Sequence, residues 1–195
     1  MGQNKLKIAI TGNIGSGKSA FANFIEEKGF PVIKADDISK EILANDENVK
    51  REIIETFGGE SFMGNEINKE YLAEKVFSNP EKVFIINSIL HPPVIKKINE
   101  LMNNELRSSD KVFVEAALIY EADMEEMFDY VILITAKKEI RFSRKAKKLT
   151  FEEFEERDSN QIPEQEKKNR ADFIFENNGS LDELKGKAML LVAVL

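Results

Sequence analysis

The sequence predicts a three-layer α/β fold, a five-stranded parallel sheet flanked by helices, on three observations. A short apolar strand runs into a glycine cluster and then a helix, and a second strand follows, which is the order of a βαβ unit. The apolar runs Val112-Phe113-Val114 and Val131-Ile132-Leu133-Ile134 do not alternate with polar residues, as suits strands covered on both faces. Five strand-like segments are interleaved with helical ones, through connections too long for hairpins.

The elements follow in order. Leu6 to Thr11 reads as a buried strand that ends at Gly12, Gly15 and Gly17. Lys18 to Lys28 reads as a helix, because Phe21, Ala22, Phe24 and Ile25 share one face, and Gly29 stops it. Pro31 to Ala35 is the second strand and opens onto Asp36-Asp37. Helical spacing marks Ile38 to Leu43, Val49 to Phe57, Lys69 to Phe77 and Pro80 to Leu90, with breakers at Gly58-Gly59 and Asn79-Pro80. Pro92 to Leu106 is a further amphipathic helix, and His91-Pro92-Pro93 is expected as a rigid turn before it. Lys111 to Ala117 and Tyr130 to Thr135 are strands, and Lys137 to Lys148 is a basic helix. Thr150 and Glu153 form a capping box that opens the next helix, and Pro163 opens a short one after it. Phe173 to Phe175 is the last strand. Asn177-Asn178-Gly179 is a turn, and Ser180 with Glu183 is a second capping box before the C-terminal helix. One domain over residues 1–195 is expected, with a helical subdomain over about 45–105 on the substrate side and a lid over about 137–170.

Composition narrows the function. A chain of 195 residues, 42% of them hydrophobic and 14 of them Phe, can fill one α/β core without Trp. The net charge of -7 argues against nucleic acid as a partner, since phosphate backbones select basic surfaces. With no Cys and one His, thiol chemistry and a Cys- or His-rich metal site are excluded. No apolar run has the length of a membrane span, and the opening residues lack a signal peptide's apolar region, so a cytoplasmic enzyme is the expectation. These features say nothing of oligomeric state.

Gly12-Asn13-Ile14-Gly15-Ser16-Gly17-Lys18-Ser19 matches G-x-x-x-x-G-K-[ST] in full, after a predicted strand and at the start of a predicted helix. That context specifies a P-loop NTPase fold. Glycines let the backbone turn its N–H groups toward phosphate oxygens, and the helix N-terminus adds partial positive charge. Asn13, Ile14, Gly15, Ser16, Gly17, Lys18, Ser19 and the following Ala20 are therefore candidate nucleotide contacts, with ATP and Mg²⁺ as the implied cofactors. Lys18 reaches the β- and γ-phosphates, and the Ser19 hydroxyl is placed to ligate Mg²⁺.

An Asn-Lys-x-Asp base-reading motif is absent, and the chain is short for a motor ATPase, so a small-molecule kinase fits best. Asp36, at the carboxyl end of the second strand, can accept a proton from a substrate hydroxyl, or it can cap the next helix. Glu115 stands where an acid near Mg²⁺ would stand, or it is an ordinary strand-end acid. His91 is either a substrate contact or structural. The run Arg141, Arg144, Lys145, Lys147 and Lys148, with Arg157 and Lys167 after it, is either a solvated face or a basic lid closing over phosphates.

Together these motifs resemble the dephospho-CoA kinase family, from about Lys7 to Leu184. Ile10-Thr11-Gly12-Asn13-Ile14-Gly15-Ser16-Gly17-Lys18-Ser19 is similar to L-T-G-G-I-G-S-G-K-S, and Val32-Ile33-Lys34-Ala35-Asp36 to V-I-D-A-D. Leu90-His91-Pro92 resembles the family's H-P element. Glu115-Ala116-Ala117-Leu118-Ile119-Tyr120-Glu121 resembles D-x-P-L-L-F-E, and Phe128-Asp129-Tyr130-Val131-Ile132 resembles F-D-x-V-I. Gln161, Lys167, Ala171-Asp172 and Ile174-x-x-Asn177-x-Gly179 resemble the family's closing Q…K…A-D-x-V-I-x-N-x-G.

The resemblance implies MgATP-dependent phosphorylation of the ribose 3′-hydroxyl of dephospho-CoA, the last step of coenzyme A synthesis. It implies Asp36 as the base, and His91, Leu118, Ile119 and Tyr120 on the substrate side. It places Arg157 and lid bases such as Arg141 and Arg144 on phosphates, and Asn177 near the adenine. The chain departs from the family at Lys34 and Glu115, each in place of Asp, at Ala117 in place of Pro, and at Ala20, where Thr is common. Phe142 and Ala146 stand where the family has paired lid arginines. Two alternatives stay open: another P-loop kinase of a small metabolite, nucleoside or nucleotide, and a nucleotide-binding regulatory module without turnover.

Overall fold

The computed structural model of the protein describes residues 5–64, 66–76 and 79–195. They form two compact units, one made from the chain up to Lys34 and again from Leu101 to Leu195, the other from Ala35 to Glu100. In chain order the first unit begins with β1 (Leu6–Thr11), α1 (Lys18–Glu27) and β2 (Val32–Lys34). The smaller unit holds α2 (Ala35–Asn45), α3 (Glu47–Phe57), β3 (Phe62–Met63), β4 (Glu66–Ile67), α4 (Lys69–Val76) and most of α5 (Pro80–Glu105). The larger unit resumes with β5 (Lys111–Glu115), β6 (Tyr130–Thr135), α6 (Lys138–Ser143), α7 (Phe151–Ser159), α8 (Glu164–Arg170), β7 (Phe173–Glu176) and α9 (Leu181–Val194).

The five-stranded sheet has the order β2-β5-β1-β6-β7, and every pairing in it is parallel. β1 lies in the middle, so the glycine loop leaving it sits where connections diverge to the two sides, the place where open α/β sheets bind ligands. Ile8, Ile10, Phe113, Ile132 and Ile134 from the strands are fully buried with Phe21, Ala22 and Ile25 of α1 and Leu184, Ala188 and Leu191 of α9. Burying each of the larger side chains contributes about 1.5–3 kcal/mol. Helix ends are set locally. Thr150 and Glu153 form both halves of a capping box, and Ser180 accepts from the Glu183 amide.

The smaller unit has its own core of Val49, Ile53, Phe62, Leu72 and Val76. Asp46 caps α3 by accepting from the Asn48 and Val49 amides. The β3–β4 hairpin, paired Phe62↔Ile67 and Met63↔Glu66, is too short to leave an alternating pattern, and the sequence reading missed it.

Three expected boundaries change. α2 starts at Ala35, directly after β2, so Asp36 and Asp37 lie in a helical first turn, where a carboxylate meets free amides and the positive end of the dipole. α5 is one helix with Pro92 and Pro93 inside it, so His91 lies on a helix and not in a turn. A proline φ near -65° is a helical value; what the prolines remove is two backbone donors. The helix persists because Val83, Ile86, Ile89 and Leu90 before them pack on the smaller core, and Val94 and Ile98 beyond them are buried. The basic helix expected through Lys148 ends at Ser143 and gives way to turns, because like charges one turn apart destabilise it. The expected helix over Lys69 to Phe77 is described up to Val76, and its last residue lies outside the described residues. Among the described residues no helix is long and apolar enough to cross a membrane.

Candidate active site

The loop between β1 and α1 turns on three glycines with positive φ, Gly12 at 153°, Gly15 at 78° and Gly17 at 101°. Gly12 and Gly15 are also sterically required, against backbone atoms, whereas at Gly17 the near neighbour is the end of a side chain. A Cβ would fall 2.2 Å from the Ile134 carbonyl oxygen at Gly12, 2.4 Å from the Arg141 carbonyl oxygen at Gly15 and 2.2 Å from Asn177 Nδ2 at Gly17. The loop is thus pressed against the end of β6, the backbone of α6 and the residue after β7.

Its polar groups divide by direction. The Ile14 carbonyl accepts from Arg141 Nη1 at 3.2 Å. The Gly15 and Ser16 carbonyls accept from Arg144 Nη1, each at 3.2 Å, and Ser16 also accepts from Asn177 Nδ2 at 2.8 Å. The Ile14 amide donates to Gln161 Oε1 at 2.8 Å, and the Ser16 amide to the Asn13 carbonyl at 3.0 Å. Among the described residues, the amides of Gly15, Gly17, Lys18, Ser19 and Ala20 have no hydrogen-bond partner. The loop therefore gives its carbonyls to neighbouring side chains and keeps a row of donors beside a helix N-terminus, which is the chemistry of a polyphosphate site.

Lys18, Ser19 and Glu115 complete this end of the sheet. Glu115 closes β5, opposite Ile10 in the register of β1, and is 5% exposed. Ser19 Oγ donates to Glu115 Oε1 at 3.0 Å, and Lys18 Nζ lies 3.7 Å from the same oxygen. A hydroxyl and a carboxylate are hard oxygen ligands that fit Mg²⁺, which takes few protein ligands and fills its octahedron with water and phosphate. Among the described residues no group of three or more His, Cys, Asp or Glu is placed to hold a metal by itself. Lys34 pairs with Glu115 in the register of β2 and β5, and its ammonium is held by Glu26 of α1 at 2.9 Å.

The predicted lid residues do different things. Arg141 is turned inward, with its side chain 6% exposed, and forms a two-point ion pair with Asp158 of α7 at 2.6 and 3.1 Å. Asp158 also accepts from Asn13 Nδ2 at 3.3 Å. Burial pushes the Asp158 carboxyl up, but the hydrogen bonds and charge of Arg141, helped by Asn13 and Lys138, outweigh it and hold the group below its ordinary value. Partial burial lowers the pKa of Arg144, whose Nη2 donates to the Asn177 carbonyl at 2.8 Å. Arg157 is exposed on α7. Phe142 packs edge-on against Phe151 at 5.1 Å and beside Phe154 at 5.5 Å, so an aromatic cluster stands where an arginine was expected.

After β5, Leu118 is half-buried, while Ile119 and Tyr120 are buried. Gln161 joins this segment to the glycine loop, donating to the Ala117 carbonyl at 3.4 Å while it accepts from Ile14. Glu121 accepts from the Ile162 amide at 2.9 Å. The Lys167 ammonium, 0% exposed, lies 2.8 Å from Glu121 Oε1, an ion pair without hydrogen-bond alignment. On the smaller unit, Asp36 is exposed in the first turn of α2, and His91 is half-buried on α5.

Sequence reasoning did not find Asp158 or the loop-facing role of Arg141. The two are 17 residues apart on different helices, outside any motif, and opposite charge alone is no signal in a chain that is 32% charged.

Comparison with known proteins agrees with this geometry. The family model described as dephospho-CoA kinase matches residues 6–183. A dephospho-CoA kinase of Protochlamydia amoebophila is 34% identical over 185 residues, covering 92% of this chain and 91% of that protein. A solved structure from Thermus thermophilus superposes with a TM-score of 0.82 at 32% identity, covering 98% of each chain. The dephospho-CoA kinase of Campylobacter jejuni superposes with a TM-score of 0.71 at 30% identity, covering 96% of this chain and 95% of that one.

Proposed function

The chain belongs to the dephospho-CoA kinase family, and from that premise we propose how its residues carry out an ATP-dependent phosphoryl transfer to dephospho-CoA. The observation that carries the reading is the glycine loop, with its row of unpartnered amides beside Lys18, Ser19 and Glu115.

The amides of Gly15, Gly17, Lys18, Ser19 and Ala20 bind the β- and γ-phosphates, and Lys18 offsets the charge that builds on the transferred group. Ser19 and Glu115 would hold Mg²⁺, which when bound would neutralise phosphate oxygens. Asp36 accepts the proton of the ribose 3′-hydroxyl as that oxygen attacks the γ-phosphorus. An exposed carboxylate directly after β2, at the family's second Asp, supports this role. Asn177, fixed on the Ser16 carbonyl, borders the adenine end. Arg157, exposed on α7, meets phosphate within a lid over about 137–170, and His91 and Leu118 face the acceptor. Ile119 and Tyr120 shape that side from beneath, since both are buried. A cytoplasmic setting follows from the reaction proposed.

The test is ADP release from MgATP in the purified chain with a panel of acceptors. Turnover with dephospho-CoA and not with nucleosides is expected. Turnover with a nucleoside instead, or ATP binding without product on any acceptor, would overturn the reading.

A further inference from the structure

We infer that Arg141, locked by Asp158, is a positioning residue of the phosphate loop: it holds the Ile14 carbonyl outward so that the amides that follow point to the nucleotide. This rests on the nucleotide reading of the loop and adds a residue pair that the motif does not contain.

Four observations converge. Arg141 makes four hydrogen bonds from a buried position, to the Ala136 carbonyl at 3.2 Å, the Ile14 carbonyl at 3.2 Å and both Asp158 oxygens. Its guanidinium also lies over the Phe154 ring, 5.6 Å from the centroid. Few donors remain for a substrate phosphate, so its target is the loop. The backbone is engaged too, because Gly15 abuts the Arg141 carbonyl so closely that a Cβ would fall 2.4 Å from it. Asp158 touches the loop through Asn13 Nδ2, so the ion pair grips two successive residues, Asn13 by its side chain and Ile14 by its carbonyl.

The physical argument is about peptide orientation. Each loop peptide is a rigid plane, and pointing its carbonyl one way points the next amide the other. The carbonyls of residues 14, 15 and 16 are all captured by side chains, and two of those captors are guanidinium groups. A charged donor holds a carbonyl about twice as strongly as a neutral one. Arg141 is the captor that is itself anchored, by an aspartate of another helix, so α7 sets the loop through it. Preorganised donors bind without reorganisation, and losing the anchor lets the Ile14–Gly15 plane rotate.

The experiment measures MgATP affinity by equilibrium binding, together with KM for MgATP and for dephospho-CoA, in wild type, Asp158→Asn, Arg141→Lys, and the double variant Arg141→Met/Asp158→Leu. The double variant removes both charges at once, so the fold is kept where a single buried charge would unfold it. The expected result is a MgATP affinity about tenfold weaker in each variant, with KM for dephospho-CoA within about twofold of wild type, as a loss confined to one substrate's positioning predicts. Partial recovery in Asp158→Glu relative to Asp158→Asn is expected as well. Folded variants that bind MgATP like wild type, or a parallel rise in both KM values, overturn the inference while the nucleotide reading stands. A wild-type chain that fails to bind MgATP overturns both.

Discussion

At the scale of single residues, the proposed reaction gives groups distinct tasks, and each has its own signature on substitution. Asp36→Asn is expected to lower kcat at least 100-fold and leave MgATP binding near wild type, because a carboxamide cannot take a proton; a single-turnover assay beside a binding isotherm separates the two. Lys18→Ala should lower kcat/KM by roughly 100- to 1,000-fold, the usual penalty for losing one preorganised charge at the reacting group. Away from the chemistry, Lys167→Ala strands the Glu121 carboxylate in a buried site, and urea unfolding should show a loss of about 3–5 kcal/mol. Glu115, Lys18 and Ser19 were legible from the sequence because strand ends and the glycine motif fix where they stand. Arg141 was legible only as a cation. Its neighbours decide whether a positive charge faces a ligand or a peptide carbonyl, and those neighbours are distant in sequence.

At the scale of elements, the capping signals and apolar spacings translated well, and the misreadings came where tertiary packing overrode a local rule. Thr150 behaves as its motif predicts, and Thr150→Ala should cost about 1 kcal/mol in thermal unfolding through the loss of the α7 cap. The prolines of α5 mislead, because the lost hydrogen bonds and the ring's crowding of the preceding turn read as a break, while packing on both sides holds the helix together. Pro92 is exposed inside a helix whose two halves are both packed, so Pro92→Ala restores a backbone donor. A stabilisation of about 1–3 kcal/mol is expected from differential scanning calorimetry. The β3–β4 hairpin escaped notice for the opposite reason, since two residues a side carry no period at all.

At the scale of the whole molecule, charge and topology set the response to conditions. The Tyr120 hydroxyl is pushed from 10.0 up to about 12, first by burial and then by Asp172 and Glu121, against the opposing charge of Arg170. Folding thus favours the protonated phenol. Its contribution is complete below pH 10 and is lost as pH rises through about 12, an effect on the order of 2 kcal/mol. Stability measured across that range should fall less steeply in Tyr120→Phe than in wild type. Asp158 has the opposite sign, since a carboxyl held below 3.8 gives stability at higher pH that disappears as acid protonates it.

The order of strands in the sheet also governs how the chain reaches this state. β1 must find partners that begin at Lys111 and Tyr130, and even β6 and β7 are separated by residues 136–172. No adjacent pair in that sheet closes as a hairpin, so its assembly waits on long-range encounters. Such high contact order places refolding in roughly the millisecond-to-second range. Until β2 docks on β5, the Phe113 and Val114 flank of β5 is an unguarded edge, and a crowded refolding mixture would aggregate there first.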